Sequence, residues 1–362
     1  MWPYVLLIVC PIILHHAMMK SFNGSTADVF QKNSDKAMRL FWGILLVLLA
    51  IRHENVGIDL HNYHSIFNSI CRSSWEKALG RSLEIGYSAL NKIISLFTND
   101  FRWIIVVSAV LSVVFIARVY IRFSSDASLS IALFISMSNF IMLFSGLRQA
   151  IAISLGFLAF EFVRNKKLLF FLPVVVVAML FHTSAFMLLL MYPLYHARIT
   201  KNSLVVIVPA MAFVLIFNEQ IFGLLGTILS RYTKYDATIS STGAYTMLLL
   251  FIVFAVFAYL IPDESKLDRD TIGLRNFLLL AVVLQMFASL HSLAMRMNYY
   301  YIAFIPLLLP KIIEYRSKTW NQIAVVARYA MIAFFVAFFF ITAPNDNSLQ
   351  TFPYRFFWED LR

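Results

Sequence analysis

Charge is scarce in this sequence: Asp, Glu, Lys and Arg together make up 14% of its 362 residues. A soluble domain carries about a quarter of its residues charged, so a water-exposed globule of this length is excluded. Cysteine is nearly missing too. Cys10 and Cys71 are too few and too far apart to form a disulfide framework or a cysteine-ligated metal. The common chemical signatures are also missing, with no Walker-type phosphate loop, no GxGxxG after a strand and no HExxH. The acidic triplet Asp268, Arg269, Asp270 resembles a metal-sugar-nucleotide motif, but it lies in a charged loop that needs solvation for its own sake. No metal or cofactor is therefore implied. The energy for any bond-forming reaction has to arrive with an activated substrate or from an ion gradient. Internal repeats of the transporter kind are not visible.

What fills the chain is apolar: 60% hydrophobic residues, 35 of them Phe, with a mean hydropathy of +0.77. Runs able to cross about 30 Å of hydrocarbon at 1.5 Å per residue recur from end to end. The expected spans are 2–19, 38–51, 101–121, 127–144, 147–163, 167–180, 183–196, 203–222, 244–261, 272–291, 298–312 and 322–342. That makes about 12 crossings in an all-α polytopic membrane protein, since unbroken apolar runs of this length are too long for barrel strands. A single transmembrane domain over 1–362 is expected, with an interfacial non-cytoplasmic segment at about 52–100. The first span lacks a basic leader and is followed by Lys20, so it reads as a retained helix. Placing the N-terminus outside puts 17 of the 30 basic residues in short cytoplasmic loops. The net charge of +11 is then mostly an orientation signal, and nucleic acid is not an expected partner.

Against this background the polar run Ile51 to Tyr63 stands out. It carries Arg52, His53, Glu54, Asp59 and His61, and charge beside lipid is costly enough to mark a functional candidate. In the same topology Glu84 to Tyr87, Arg148 with Gln149, His182, and Arg296 to Tyr301 also fall at outer helix ends. Arg148 opens a helix in which Ala152 and Gly156 permit close helix contact, so its guanidinium should face protein. Its planar fork suits a phosphate or diphosphate, and snorkelling to headgroups is the plain alternative. His182, beside Thr183 and Ser184, interrupts an apolar run of about 30 residues and is either a general base near neutral pH or a hydrogen-bonded turn residue. Asp59 is divided between a helix N-cap and an acceptor-binding or basic role, and Glu84 between helix-start electrostatics and a sugar contact. Arg296 precedes the aromatic group that includes Tyr300, and Arg231 with Tyr232 forms a weaker version in the loop at 223–243.

Four segments taken together, IRHENVGIDLHNYHSIF, EIGYSALNKII, LRQAIAISLGF and FHTSAFMLLL, resemble the EpsG family of Wzy-type polysaccharide polymerases in order and spacing over roughly residues 50 to 190. The resemblance implies a metal-independent glycosyltransferase of the bacterial plasma membrane with a GT-C-like architecture. Such an enzyme would join undecaprenyl-diphosphate-linked repeat units into O-antigen, capsule or exopolysaccharide at the outer face. Its partners would be the lipid-linked donor and acceptor, membrane lipids and a chain-length regulator. The implied catalytic residues are His182, Asp59 and Arg148. Arg52, Arg148, Arg296, Glu84, Gln149, Tyr63, Tyr87 and Tyr300 would bind substrate, and Trp75 would join the tyrosines in stacking on sugar rings. The rival functions are a transporter or flippase of the same lipid-linked sugars and a membrane O-acyltransferase.

Overall fold

The computed structural model describes residues 1–20, 27–228, 241–260, 262–317, 321–345 and 347–359. Among these the regular structure is helical, apart from an isolated antiparallel bridge between Arg52 and Phe356. In chain order the first half holds α1 (Trp2–Lys20), α2 (Ala27–Ile51), α3 (Leu60–Cys71), α4 (Trp75–Leu79), α5 (Ile85–Ser95), α6 (Arg102–Phe123), α7 (Ala127–Ser136), α8 (Ser138–Ser145) and α9 (Leu147–Arg164). The second half holds α10 (Leu168–Phe181), α11 (Met191–His196), α12 (Leu204–Ile216), α13 (Asn218–Ile228), α14 (Ser241–Leu260), α15 (Arg269–Gln285), α16 (Ser292–Ile302), α17 (Ile305–Ser317) and α18 (Asn321–Asn345). A 3₁₀ segment, Thr183–Leu190, joins α10 to α11. The chain divides into two compact units, Met1–Phe186 with Val325–Arg362, and Met187–Ala324.

In the first unit α9 packs between α6 and α10, while α2 lies against α6 and α1. The apolar residues that face outward, such as Val114, Leu169 and Phe170, cost nothing in lipid. Association between apolar helices in lipid rests instead on close packing and internal polar bonds. Both are present. Trp42 meets Phe134 and Tyr120 with centroids at 5.0 and 5.3 Å, and Tyr4 meets Phe352 at 4.6 Å. Asp126 caps α7 by accepting from the Leu129 amide at 3.2 Å and also holds the Arg328 guanidinium of α18.

Among the described residues, two helices are long and apolar enough to cross a membrane alone, Arg102–Phe123 and Val325–Asn345. At 1.5 Å per residue a helix of 22 residues, such as α6, reaches about 33 Å. Several expected single spans are broken or shortened. The run 127–144 parts at Met137, whose ψ of 149° is extended. There the Ser136 hydroxyl donates to the Ala132 and Phe335 carbonyls at 2.9 and 2.8 Å, meeting part of the polar demand of the interruption. The run 203–222 bends by 78° between Ile216 and Asn218, and 298–312 parts between α16 and α17. The run 167–196 breaks at His182, as the polar insertion predicts.

The second unit is organised on α15, which packs against α11, α14, α16 and α17. Its buried Arg275 pairs with Glu264 and donates to the Ile199 carbonyl at 2.7 Å. Asn298 donates to the Ala281 carbonyl and to Gln285, both at 3.0 Å. The triplet at 268–270 is structural: Asp268 caps α15 through the Thr271 amide and pairs with Lys311, while Asp270 accepts from the Tyr195 phenol.

Candidate active site

Four stretches of the first unit converge on one polar cluster. Asp59 follows Gly57, whose φ of +122° brings the backbone so near α8 that an added Cβ would lie 2.2 Å from the Phe144 carbonyl oxygen. Only glycine permits this approach, and it delivers Asp59 to Ser145. The Ser145 hydroxyl donates to Asp59 Oδ2 at 3.0 Å, and the Asp59 amide donates to Ser145 Oγ at 3.3 Å. The Asp59 side chain forms no cap with α3 and remains exposed. Of its two expected roles, the N-cap is thus not the one adopted.

Glu84 precedes α5 and likewise makes no side-chain cap. Its Oε2 pairs with Arg148 NH1, and its Oε1 accepts from the Thr183 amide and hydroxyl at 3.5 and 3.4 Å. Gly86 permits this meeting, because a Cβ there would stand 2.8 Å from the Leu180 carbonyl oxygen of α10. Burial alone would raise the Glu84 pKa, but the adjacent Arg148 guanidinium outweighs it and holds the carboxyl below the usual range. Arg148 Nε also donates to the Tyr63 phenol at 3.4 Å, with its guanidinium carbon 5.7 Å from the Tyr63 ring centroid. Two of its five N–H donors are thus engaged. The pair is 25% exposed at Arg148 and 16% at Glu84, so it is reachable from solvent while shielded enough for charge to matter.

Tyr63 and Tyr87 contact each other at 5.3 Å within a core of Leu60, Phe67, Phe101, Ile104 and Leu147. Tyr87 is fully enclosed, so it buttresses Tyr63 rather than presenting a face to a sugar. Trp75, 43% exposed, keeps a face free for that use. His182 Nδ1 accepts from the Ser184 amide at 3.3 Å and lies 3.0 Å from its hydroxyl. An amide can only donate, so Nδ1 is unprotonated and the neutral ring carries its proton on Nε2.

Other expected site residues fall elsewhere. Arg52, expected to bind substrate, is buried. Its NH1 donates to the Leu49 carbonyl at 2.6 Å, while Nε and NH2 have no acceptor. It is covered by the C-terminal strand-like strap: Phe357 N–H donates to Ile51 O, His53 N–H to Arg355 O, Gly57 N–H to Gln350 O and Ile58 N–H to Leu349 O, all within 2.9–3.0 Å. Gln149 is buried on α9 beside Arg148. Arg296 and Tyr300 belong to the second unit, where Arg296 is exposed and Tyr300 buried. Arg231 and Tyr232 lie outside the described residues. Ser145 and Thr183 are site residues that their sequence positions gave no means of selecting, because their roles are bonds spanning 86 and 99 residues.

No curated protein and no solved structure matches the chain. The family model described as the EpsG family matches residues 37–356. That covers most of a chain whose polar cluster lies wholly inside the match, and the chain belongs to the EpsG family.

Proposed function

We propose that the protein is a polysaccharide polymerase of the bacterial plasma membrane that joins undecaprenyl-diphosphate-linked repeat units at its outer face, without a metal. The carrying observation is the Glu84-centred cluster, in which Arg148 from α9 and Thr183 next to His182 meet one carboxylate at the helix ends. Family membership points to the same polymerase role. In this reading an acceptor sugar hydroxyl attacks the anomeric carbon of the growing chain. The anomeric C–O bond breaks, and its electron pair leaves with the lipid diphosphate.

The geometry divides the labour. Asp59 is exposed and its carboxylate accepts only a neutral hydroxyl bond from Ser145, so it takes the proton of the attacking hydroxyl. His182 accepts from the Ser184 amide at Nδ1, which takes that nitrogen out of use as a general base and leaves the ring to the departing diphosphate. Arg148 has three N–H donors beyond those engaged, for an anion whose charge grows in the transition state. Glu84 holds Arg148 in place and keeps it from closing on another acceptor. The test compares Asp59→Asn with His182→Gln on lipid-linked repeat units. Asp59→Asn should bind donor normally and lose about 10²-fold or more in turnover. A His182→Gln loss as deep, together with a near-normal Asp59→Asn, would overturn the assignment.

A further inference from the structure

At the other end of α2 and α6 from this cluster, a cavity of about 790 Å³ opens between the two helices. Along α2, Arg39 lies 13 residues before Arg52, about 20 Å away along the axis. Arg39, Arg118 and Arg122 line the cavity together with the carboxylate of Asp35. Arg118 is paired with Glu161 at 2.9 Å. Three guanidiniums therefore face two carboxylates, and a net positive charge remains. Three residues deeper, about 4.5 Å along the helix, Trp42 lines the same cavity. Trp42 is 2% exposed and its indole Nε1–H has no acceptor. Below Trp42 the wall turns apolar. A Cβ added at Gly43 would meet nothing within 4 Å, and Leu46, Val110 and Val114 continue the lining.

The sequence of surfaces is cationic, then aromatic at Trp42, then aliphatic. We propose that this groove holds one anionic glycerophospholipid from the leaflet at the end of α2 and α6 remote from the Glu84 cluster. Its phosphate lies among Arg39, Arg118 and Arg122, and an acyl chain lies along Trp42, Gly43, Leu46 and Val114. A free phosphate satisfies only the first surface, and an acyl chain alone only the last. The proposal is independent of the polymerase reading.

The test titrates the purified full chain in detergent with short-chain phosphatidylglycerol or phosphatidylcholine and counts bound lipid by native mass spectrometry. One phosphatidylglycerol per chain should bind about tenfold more tightly than phosphatidylcholine. The double substitution Arg39→Gln/Arg122→Gln should erase that preference. Val114→Trp should block the groove to both. Arg72→Gln/Lys77→Gln, which removes the same charge from an exposed region elsewhere, should leave binding unchanged. Equal affinity for the two lipids, equal losses in the charge control, or wild-type binding by Val114→Trp would overturn the proposal.

Discussion

Replacing Arg148 by Ala removes two things that can be measured separately. The first is structural: the Glu84 carboxylate, 16% exposed, keeps only the long Thr183 contacts at 3.4 and 3.5 Å. Breaking a fully buried ion pair costs about 3–5 kcal/mol and an exposed one under about 1, so this intermediate pair should cost about 1–3 kcal/mol. The second is catalytic: loss of a pre-placed donor to the leaving diphosphate should lower turnover about 10²–10³-fold. Pairing Arg148→Ala with Glu84→Gln separates the terms, because the orphaned charge is neutralised while the diphosphate donor stays missing. Thermal melts in detergent should show the double variant regaining most of the lost stability. Chain-length ladders on gels should stay collapsed to single repeat units in both variants. Long ladders from Arg148→Ala, or activity that returns with stability in the double variant, would refute the clamp.

Four further outcomes follow from the same geometry. Gly57→Ala should destabilise the fold by about 1–3 kcal/mol from backbone strain alone, and abolish polymer, since its Cβ would press on the Phe144 carbonyl; an unchanged melt would contradict this. The Glu84 pKa is depressed in the folded protein. Its stabilisation is therefore fully present above the unfolded value of about 4.3 and is lost as pH falls through the folded value. Melts of wild type and Glu84→Gln should accordingly converge in acid, and a difference that grows on acidification would refute the sign. Tyr354→Phe, which deletes a bond to the Leu48 carbonyl at 2.7 Å, should cost about 0.5–1.5 kcal/mol. Ending the chain after Asn345 should expose Arg52, unseat Gly57 and Ile58, and abolish polymer while the protein stays in the membrane fraction.

Much of the site was legible because charge in an apolar chain is rare and therefore informative. The Ile51–Tyr63 break, the start of α9 at Leu147 and the interruption at His182 all follow from polar residues that lipid would reject. Roles were harder to read than places. Asp59 and Glu84 each precede a helix, and sequence offers no way to tell a cap from a long-range partner; the Ser145 and Arg148 contacts decide it. The burial of Arg52 has no signature in the sequence for the same reason. The aromatic tail that covers it, with Phe352, Tyr354 and Phe356, is joined to it by backbone bonds that leave no side-chain pattern. Span boundaries failed at Met137 and Phe217, where short polar groups, Ser136 with Ser138 and Asn139, and Asn218 with Glu219 and Gln220, sit inside runs that remain apolar on average, so hydropathy does not register the break.

The central claim is that this cluster forms glycosidic bonds, and the most direct measurement is a gradient-free reaction. Purified protein in detergent is given lipid-linked repeat units, with a chelator present and no nucleotide or ion gradient. The account predicts new glycosidic bonds and released lipid diphosphate in equal amounts, both lost in Arg148→Ala. Intact repeat units after prolonged incubation with folded wild-type protein, or substrate translocation in vesicles without bond formation, would contradict it.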